Sequence, residues 1–164
     1  MTTRWYAGLD LGKVRDETSL ALLEPHGARL FVTYLRAWRP ERDDCVDALG
    51  EVLRLVDRDR PDGVALALDA RGLGRTAAEV ALEGELRHRV DVYPILSSHS
   101  DRPHRQRPDG YVWVGKKALV GSLITAIEAD RVRLKRGLSE ADAFLRELER
   151  LRPCLLYTSP SPRD

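Results

Sequence analysis

The sequence predicts an α/β protein built on a mixed sheet, and three observations carry this prediction. Three apolar segments follow one another closely at 5–11, 18–24 and 28–38, which favours an antiparallel meander. Beyond residue 40, helical patterns alternate with apolar strands, which is typical of parallel pairing. The length of 164 residues suits one domain with a single hydrophobic core.

The first half of the chain carries the meander and the first helix. The three strands are rich in leucine and in aromatic or β-branched residues. The turn "EPHG" at 24–27 joins the second strand to the third, since proline in second place and glycine last favour a tight turn. A helix follows over about 44–58, and its buried stripe is predicted to be Val46, Leu49, Val52, Leu53 and Val56.

The second half alternates strands with helices. The almost wholly apolar segment "VALALDA" at 64–70 predicts a central strand covered on both faces. The glycine turn "RGLG" then leads into a helix that Thr76 is expected to cap. A strand over 90–96, a polar loop over 97–110 and a short strand at 111–114 come next. Helices over about 116–129 and 139–152 complete the pattern, the second starting from a capping box at Ser139.

Composition excludes several classes of protein. Lys and Arg number 27 against 26 Asp and Glu, so any contact with nucleic acid depends on local clustering of charge. No apolar run reaches the roughly 18 residues of a membrane span, and we expect no membrane partner. Cys45 and Cys154 lie in unrelated contexts, which indicates neither a disulfide framework nor a zinc cluster and favours a reducing, cytoplasmic compartment.

Two carboxylates end apolar strands. The strand period of two places Asp10 on the face of Gly8, and Asp69 on the face of Ala67. If the two strands are parallel neighbours, the acids meet at one sheet edge, where mutual repulsion raises a pKa. Divalent cations relieve that repulsion, and two ions about 4 Å apart can promote phosphodiester cleavage. Asp10 and Asp69 are therefore the predicted catalytic and metal-binding residues; capping of the two turns is the structural alternative.

A basic cluster with interleaved aromatic residues is the predicted DNA-binding surface. Such a cluster binds phosphate backbones without sequence preference, although a solvated loop has the same composition. Its members are Arg102, Arg105, Arg107, Lys116 and Lys117. Asp16 is interpreted as a turn residue, and "GLG" at 72–74 as a tight strand-to-helix turn rather than a phosphate loop.

Three segments, in order and spacing, resemble the nuclease domain of the large subunit of tailed-phage terminases. They are "YAGLDLGKVRDETSLALLE", "VALALDARGLGRTAAEVAL" and "WVGKKALVGSLITAIEADRVRLKRGLSEADAFLRELERL", and with their connections they span nearly all of 5–152. The resemblance implies an RNase H-like fold and metal-dependent endonuclease activity on double-stranded DNA, with Asp10 and Asp69 holding two Mg²⁺ or Mn²⁺ ions. It also implies three partners, namely an ATPase motor domain, a small terminase subunit and a portal, in the cytoplasm of a bacterial host.

The chain departs from the family pattern at its C-terminal end. In the family, the third metal-binding aspartate lies beyond the helix that ends here near Leu151. Asp142 lies within that helix and therefore does not match this position. The segment "CLLYTSPSPRD" at 154–164 resembles a translated sequencing adaptor. We therefore expect a nuclease domain over 1–153, truncated at its C-terminus, with a non-native tail and poor cleavage. A junction resolvase-like nuclease and a non-catalytic DNA-binding or assembly module are the alternatives.

Overall fold

The computed structural model describes residues 4–13, 15–41, 45–59, 61–98, 105–106, 108 and 110–156, with the main chain only at 105–106 and 151–156. Within these residues eight strands form one mixed sheet in the order β6-β7-β5-β4-β1-β2-β3-β8. The strands are β1 (Arg4–Asp10), β2 (Thr18–His26), β3 (Arg29–Trp38), β4 (Gly63–Asp69), β5 (Asp91–Ser98), β6 (Arg105–Gln106), β7 (Val112–Gly115) and β8 (Val132–Leu134).

Four α-helices flank the sheet in the described part of the chain. They are α1 (Val46–Asp59), α2 (Leu73–Glu83), α3 (Lys116–Glu128) and α4 (Ala141–Leu156), and a 3₁₀ turn at Glu85–His88 follows α2. None of the described helices is long and apolar enough to cross a bilayer.

The predicted mixed sheet is confirmed. Strands β1, β2 and β3 pair antiparallel as the expected meander. Strand β4 pairs parallel with both β1 and β5, and β5 pairs parallel with β7. Strand β4 therefore lies inside the sheet, as its apolar sequence predicted, and it connects the antiparallel half to the parallel half.

The hydrophobic core lies between one face of the sheet and helices α1 and α2. Leu66 and Leu68 of β4 are fully buried there, and Leu20 of β2 is 1% exposed. Burying a side chain of this size contributes about 1.5–3 kcal/mol. The predicted stripe of α1 is wrong at its first position, since Val46 is 66% exposed, and Leu55 is a buried member that the stripe omitted.

The opposite face of the sheet is not closed, so the prediction that β4 is covered on both sides is wrong. Ala67 is exposed although its strand is central. Helices α3 and α4 lie over this face, but no side chain of α3 is fully buried and Leu119 remains 45% exposed. The apolar composition of β4 does not distinguish the two cases, because alanine occurs on an open face as well as on a covered one.

Several element boundaries also differ from the prediction. Helix α2 starts at Leu73 after Gly72, with no side-chain cap, so Thr76 is not its cap. Residues 105–106, expected in a loop, form the edge strand β6 against β7. Strand β8 was not predicted; it pairs parallel with β3 at the other edge. Helix α4 extends to Leu156, beyond its predicted end at residue 152, and residues 157–164 lie outside the described part.

A charge cluster ties α1 to β3. The carboxylate of Glu51 accepts hydrogen bonds from the Tyr34 hydroxyl and from Nε of Arg54, the latter at 2.9 Å. Nη1 of Arg36 lies 3.4 Å from the same carboxylate. The Glu51 side chain is only 10% exposed, and these contacts, led by the Arg54 hydrogen bond, lower its pKa from the usual 4.5 to about 2.

We expect Glu51→Gln to destabilise the protein by about 2 kcal/mol at pH 7. The folded-state pKa is depressed, so the stabilisation is complete above about pH 4.5 and is lost as pH falls toward 2. The difference between variant and wild type should therefore shrink between pH 5 and pH 3. Denaturant unfolding at a series of pH values measures it.

Glu79→Gln is the matched control, because Glu79 pairs with Arg75 on the exposed side of α2, with side chains 55% and 75% exposed. That pair should contribute close to nothing to the free energy of unfolding. A deficit in the Glu51 variant that stays constant from neutral to acidic pH would contradict the assigned charge interaction.

Candidate metal and nucleic-acid site

The two predicted carboxylates meet at the carboxyl ends of neighbouring parallel strands. The β1–β4 register pairs Gly8 with Ala67 and Leu9 with Leu68, so Asp10 and Asp69 are the next residues along each strand. The pleat places Leu9 and Leu68 in the core, where they are 3% and 0% exposed. Asp10 and Asp69 consequently lie on the open face of the sheet, at the carboxyl ends of β1 and β4.

A glycine turn fixes the chain after Asp10. The N–H of Gly12 donates to the hydroxyl of buried Thr18 at 3.1 Å. A Cβ on Gly12 would lie 2.5 Å from the main chain of Glu17, so the loop closes this tightly only with glycine. Asp16 lies in this loop, where its N–H donates to the carbonyl of Lys13 at 2.7 Å. This hydrogen bond agrees with the turn role expected for Asp16.

A second glycine turn fixes the chain after Asp69. Gly72 has a φ of +55°, a left-handed conformation that glycine adopts without strain. Gly74 lies so close to the end of β4 that a Cβ there would be 1.6 Å from the carbonyl oxygen of Asp69. The "GLG" segment is therefore the tight strand-to-helix turn that we predicted, and it holds α2 against the site.

The pKa of the Asp10 carboxyl is raised by its surroundings. Asp10 is accessible to solvent, yet burial of its carboxylate is the largest cause that raises its pKa, and the neighbouring charge of Asp69 is the second. Arg71, the Leu11 N–H and Lys116 act in the opposite direction. The net effect is a pKa of Asp10 above its usual range, caused first by burial and second by the charge of Asp69.

Asp69 has a partner that sequence reasoning missed. The guanidinium of Arg71 donates to both oxygens of Asp69, from Nε to Oδ1 at 3.1 Å and from Nη2 to Oδ2 at 2.7 Å. The main-chain N–H of Arg71 also donates to Oδ1 at 3.2 Å. The spacing of two residues within a turn was the available signal, because it lets one side chain fold back on the other.

The carboxylates lie in a cleft of about 820 Å³ between the open sheet face and helices α3 and α4. Small residues of the central strands, Gly8 and Ala67, line it on the sheet side. Three further carboxylates, not predicted for the site, line the same cleft: Glu17, Glu140 and Glu147. The last two flank Phe144 at helical spacing, a periodicity that could have identified them.

The basic cluster is only partly within the described residues. Lys116 begins α3 and lines the cleft with Asp10 and Asp69, and Lys117 beside it is exposed. Arg105 has its main chain in β6. Arg102 and Arg107 lie outside the described residues. The structure thus brings Lys116 together with the two aspartates.

The donor set suits a hard divalent cation. Mg²⁺ and Mn²⁺ favour carboxylate oxygens and complete their coordination with water and phosphate oxygens. Asp10 and Asp69 supply such oxygens from adjacent parallel strands. Among the described residues no group of three or more His, Cys, Asp or Glu side chains is placed to hold one ion.

No protein-family model and no curated protein matches the sequence. Solved structures do match. An Mn-soaked, inhibitor-bound terminase nuclease domain of human cytomegalovirus is 13% identical, with a TM-score of 0.62, over 92% of this chain and 77% of that one. The P22 large terminase nuclease domain is 13% identical, with a TM-score of 0.50, over 90% and 68%.

The large terminase of a thermophilic bacteriophage is 9% identical, with a TM-score of 0.53, and the match covers 88% of this chain but 31% of that one. These solved structures are thus terminase nuclease domains or a large terminase. The expected RNase H-like α/β fold is confirmed by these likenesses.

We expect Asp69→Asn to lower the pKa of Asp10. The substitution removes a neighbouring negative charge and frees Arg71 to act on Asp10, and both changes favour the ionised form. Carboxyl ¹³C NMR titration between pH 2 and 7 measures the direction of the shift.

Asp91→Asn is the control for that titration. Asp91 pairs with Nη2 of Arg4 at 2.6 Å at the other end of the sheet, and its replacement should leave the titration of Asp10 unchanged. An Asp10 pKa that does not move in the Asp69 variant would contradict their proximity.

We expect Gly74→Ala to destabilise the protein by about 3 kcal/mol or more, because its methyl group would overlap the Asp69 carbonyl. Gly50→Ala in α1 is the control: its Cβ meets nothing within 4 Å, and alanine should stabilise the helix by about 0.5–1 kcal/mol. Thermal unfolding of both variants tests the contrast in sign. Equal effects would contradict the close approach of α2 to β4.

Proposed function

We propose that this chain is the nuclease domain of a terminase large subunit and hydrolyses phosphodiester bonds of double-stranded DNA with divalent metal ions. The observation that carries the proposal is the placement of Asp10 and Asp69 at the ends of parallel neighbours β1 and β4. The likeness to terminase nuclease domains supports it, including one soaked with Mn.

In this proposal Asp10 and Asp69 hold two Mg²⁺ or Mn²⁺ ions through their carboxylate oxygens. Bound ions would activate a water molecule for attack on phosphorus and stabilise the leaving oxygen. The protein itself orients the two carboxylates, since the turns at Gly12 and Gly74 hold both strand ends in place. The cleft admits the phosphate backbone because small residues, Gly8 and Ala67, form its floor.

Lys116 is the described member of the basic cluster that lines the cleft. We assign it to phosphate contact beside the carboxylates, with Lys117 and the arginines 102, 105 and 107 extending the DNA-binding surface. These contacts would be independent of base sequence and would weaken with salt.

An ATPase motor domain, a small terminase subunit and a portal are the proposed partners, and the cytoplasm of a bacterial host is the proposed compartment. The proposed nuclease domain spans residues 1–153.

Mn²⁺ titration calorimetry on the full chain tests the metal site. We expect Asp10→Asn and Asp69→Asn each to weaken Mn²⁺ binding roughly tenfold or more, since each removes a charged oxygen ligand. Plasmid nicking should be slow in the wild type and fall to background in both variants. Asp91→Asn, the same change at the far end of the sheet, should behave as wild type in both assays.

The outcomes separate the candidate functions. Preference for a four-way junction over linear duplex would identify a resolvase-like nuclease. DNA binding that falls steeply with salt but ignores Mn²⁺ would identify a non-catalytic module. Mn²⁺ binding that is insensitive to Asp10→Asn and Asp69→Asn would contradict the proposed site.

A further inference from the structure

The Asp69 carboxylate is already occupied by a cation of the protein. Arg71 meets it with two parallel N–H donors, at 3.1 and 2.7 Å. The Asp69 side chain is 23% exposed and that of Arg71 is 52% exposed, so the pair lies at the mouth of the cleft that both residues line. Arg71 also acts electrostatically on Asp10. Arg71 thus donates hydrogen bonds to Asp69 and acts on Asp10 only through its charge.

This pairing conflicts with metal binding. Hydrogen bonds from Arg71 use lone pairs on both oxygens of Asp69, for which a divalent ion would compete, and a guanidinium beside the site repels a second positive charge. Arg71 must turn away before Asp69 can coordinate through both oxygens. Its side chain is long and half exposed, so turning requires no change of the main chain.

The cleft would offer Arg71 a new partner when DNA is bound. A guanidinium fork binds phosphate with the same bidentate geometry that it uses for carboxylate. A DNA backbone lying over Asp10 and Asp69 would bring phosphate oxygens to the region that Arg71 lines. The arginine would exchange one anion for another of similar shape.

We propose that Arg71 is an exchangeable counter-cation, which pairs with Asp69 in the free protein and transfers to a DNA phosphate when a divalent ion binds. The proposal rests on the proposed nuclease function. Its consequence is positive coupling: DNA draws Arg71 off the metal ligand and strengthens metal binding, and metal strengthens DNA binding by the same factor. Arg71 is a positioning residue in this scheme.

The test compares Arg71→Gln with Arg75→Gln in the full chain. Both variants lose one positive charge near the start of α2, but Arg75 pairs with Glu79 rather than with the site. Mn²⁺ calorimetry without DNA should show about tenfold tighter binding for Arg71→Gln and no change for Arg75→Gln. Arg71→Lys, which keeps the charge without the fork, should fall between wild type and Arg71→Gln.

Fluorescence anisotropy with a short DNA duplex provides the second readout. In wild type, Ca²⁺, used in place of a catalytic ion, should tighten duplex binding several-fold relative to EDTA. Arg71→Gln should lose most of this enhancement, and Arg75→Gln should keep it. Denaturant unfolding of each variant checks that the turn after β4 remains folded.

Each result has a defined meaning. Unchanged or weaker Mn²⁺ binding by Arg71→Gln, together with wild-type binding that Asp10→Asn abolishes, would overturn the counter-cation role and leave the nuclease site standing. Wild-type Mn²⁺ binding that Asp10→Asn does not affect would overturn the proposed function and this inference together. Tighter Mn²⁺ binding with lost DNA coupling would support the exchange.

Discussion

The parallel pairing of β1 with β4 is the constraint on which the rest of the structure depends. It aligns Leu9 with Leu68 on the core face and thereby brings Asp10 beside Asp69 on the other. A slip of one residue in either strand would turn its aspartate into the core and its leucines into solvent. The hydrophobic effect on one face therefore fixes the geometry of the charges on the other, and the carboxylate pair needs no attraction of its own to form.

Placing two carboxylates side by side carries an electrostatic cost that the chain offsets locally. Arg71 comes from the turn that follows Asp69, and Lys116 comes from the start of α3. Both cations act from short segments next to the strand ends, so the compensation forms with the fold itself. Burial of Asp10 and the neighbouring charge of Asp69 nevertheless keep the pKa of Asp10 above its usual range.

The sequence was sufficient to predict the face of the sheet on which each aspartate lies, because that follows from alternation within a single strand. It was insufficient where distant segments decide. Strand β8 is only three residues long and exists through pairing with β3, about a hundred residues earlier. The phase of α1 was misjudged because Leu55 and Val46 are equally apolar, and only packing against the sheet distinguishes them. The Arg71–Asp69 pair has a signal in its two-residue spacing within a turn, but the spacing alone does not determine the side-chain conformation of Arg71.

The two faces of the sheet differ in how tightly they are packed. Large aliphatic residues on the face of Leu66 and Leu68 pack against α1 and α2 with almost no exposure. The other face presents Gly8 and Ala67 beneath α3, which has no fully buried side chain. Large apolar residues at these two positions would close that gap and increase burial, at the expense of the space above Asp10 and Asp69. Small residues in two central strands thus preserve the opening, on a face that is separate from the hydrophobic core.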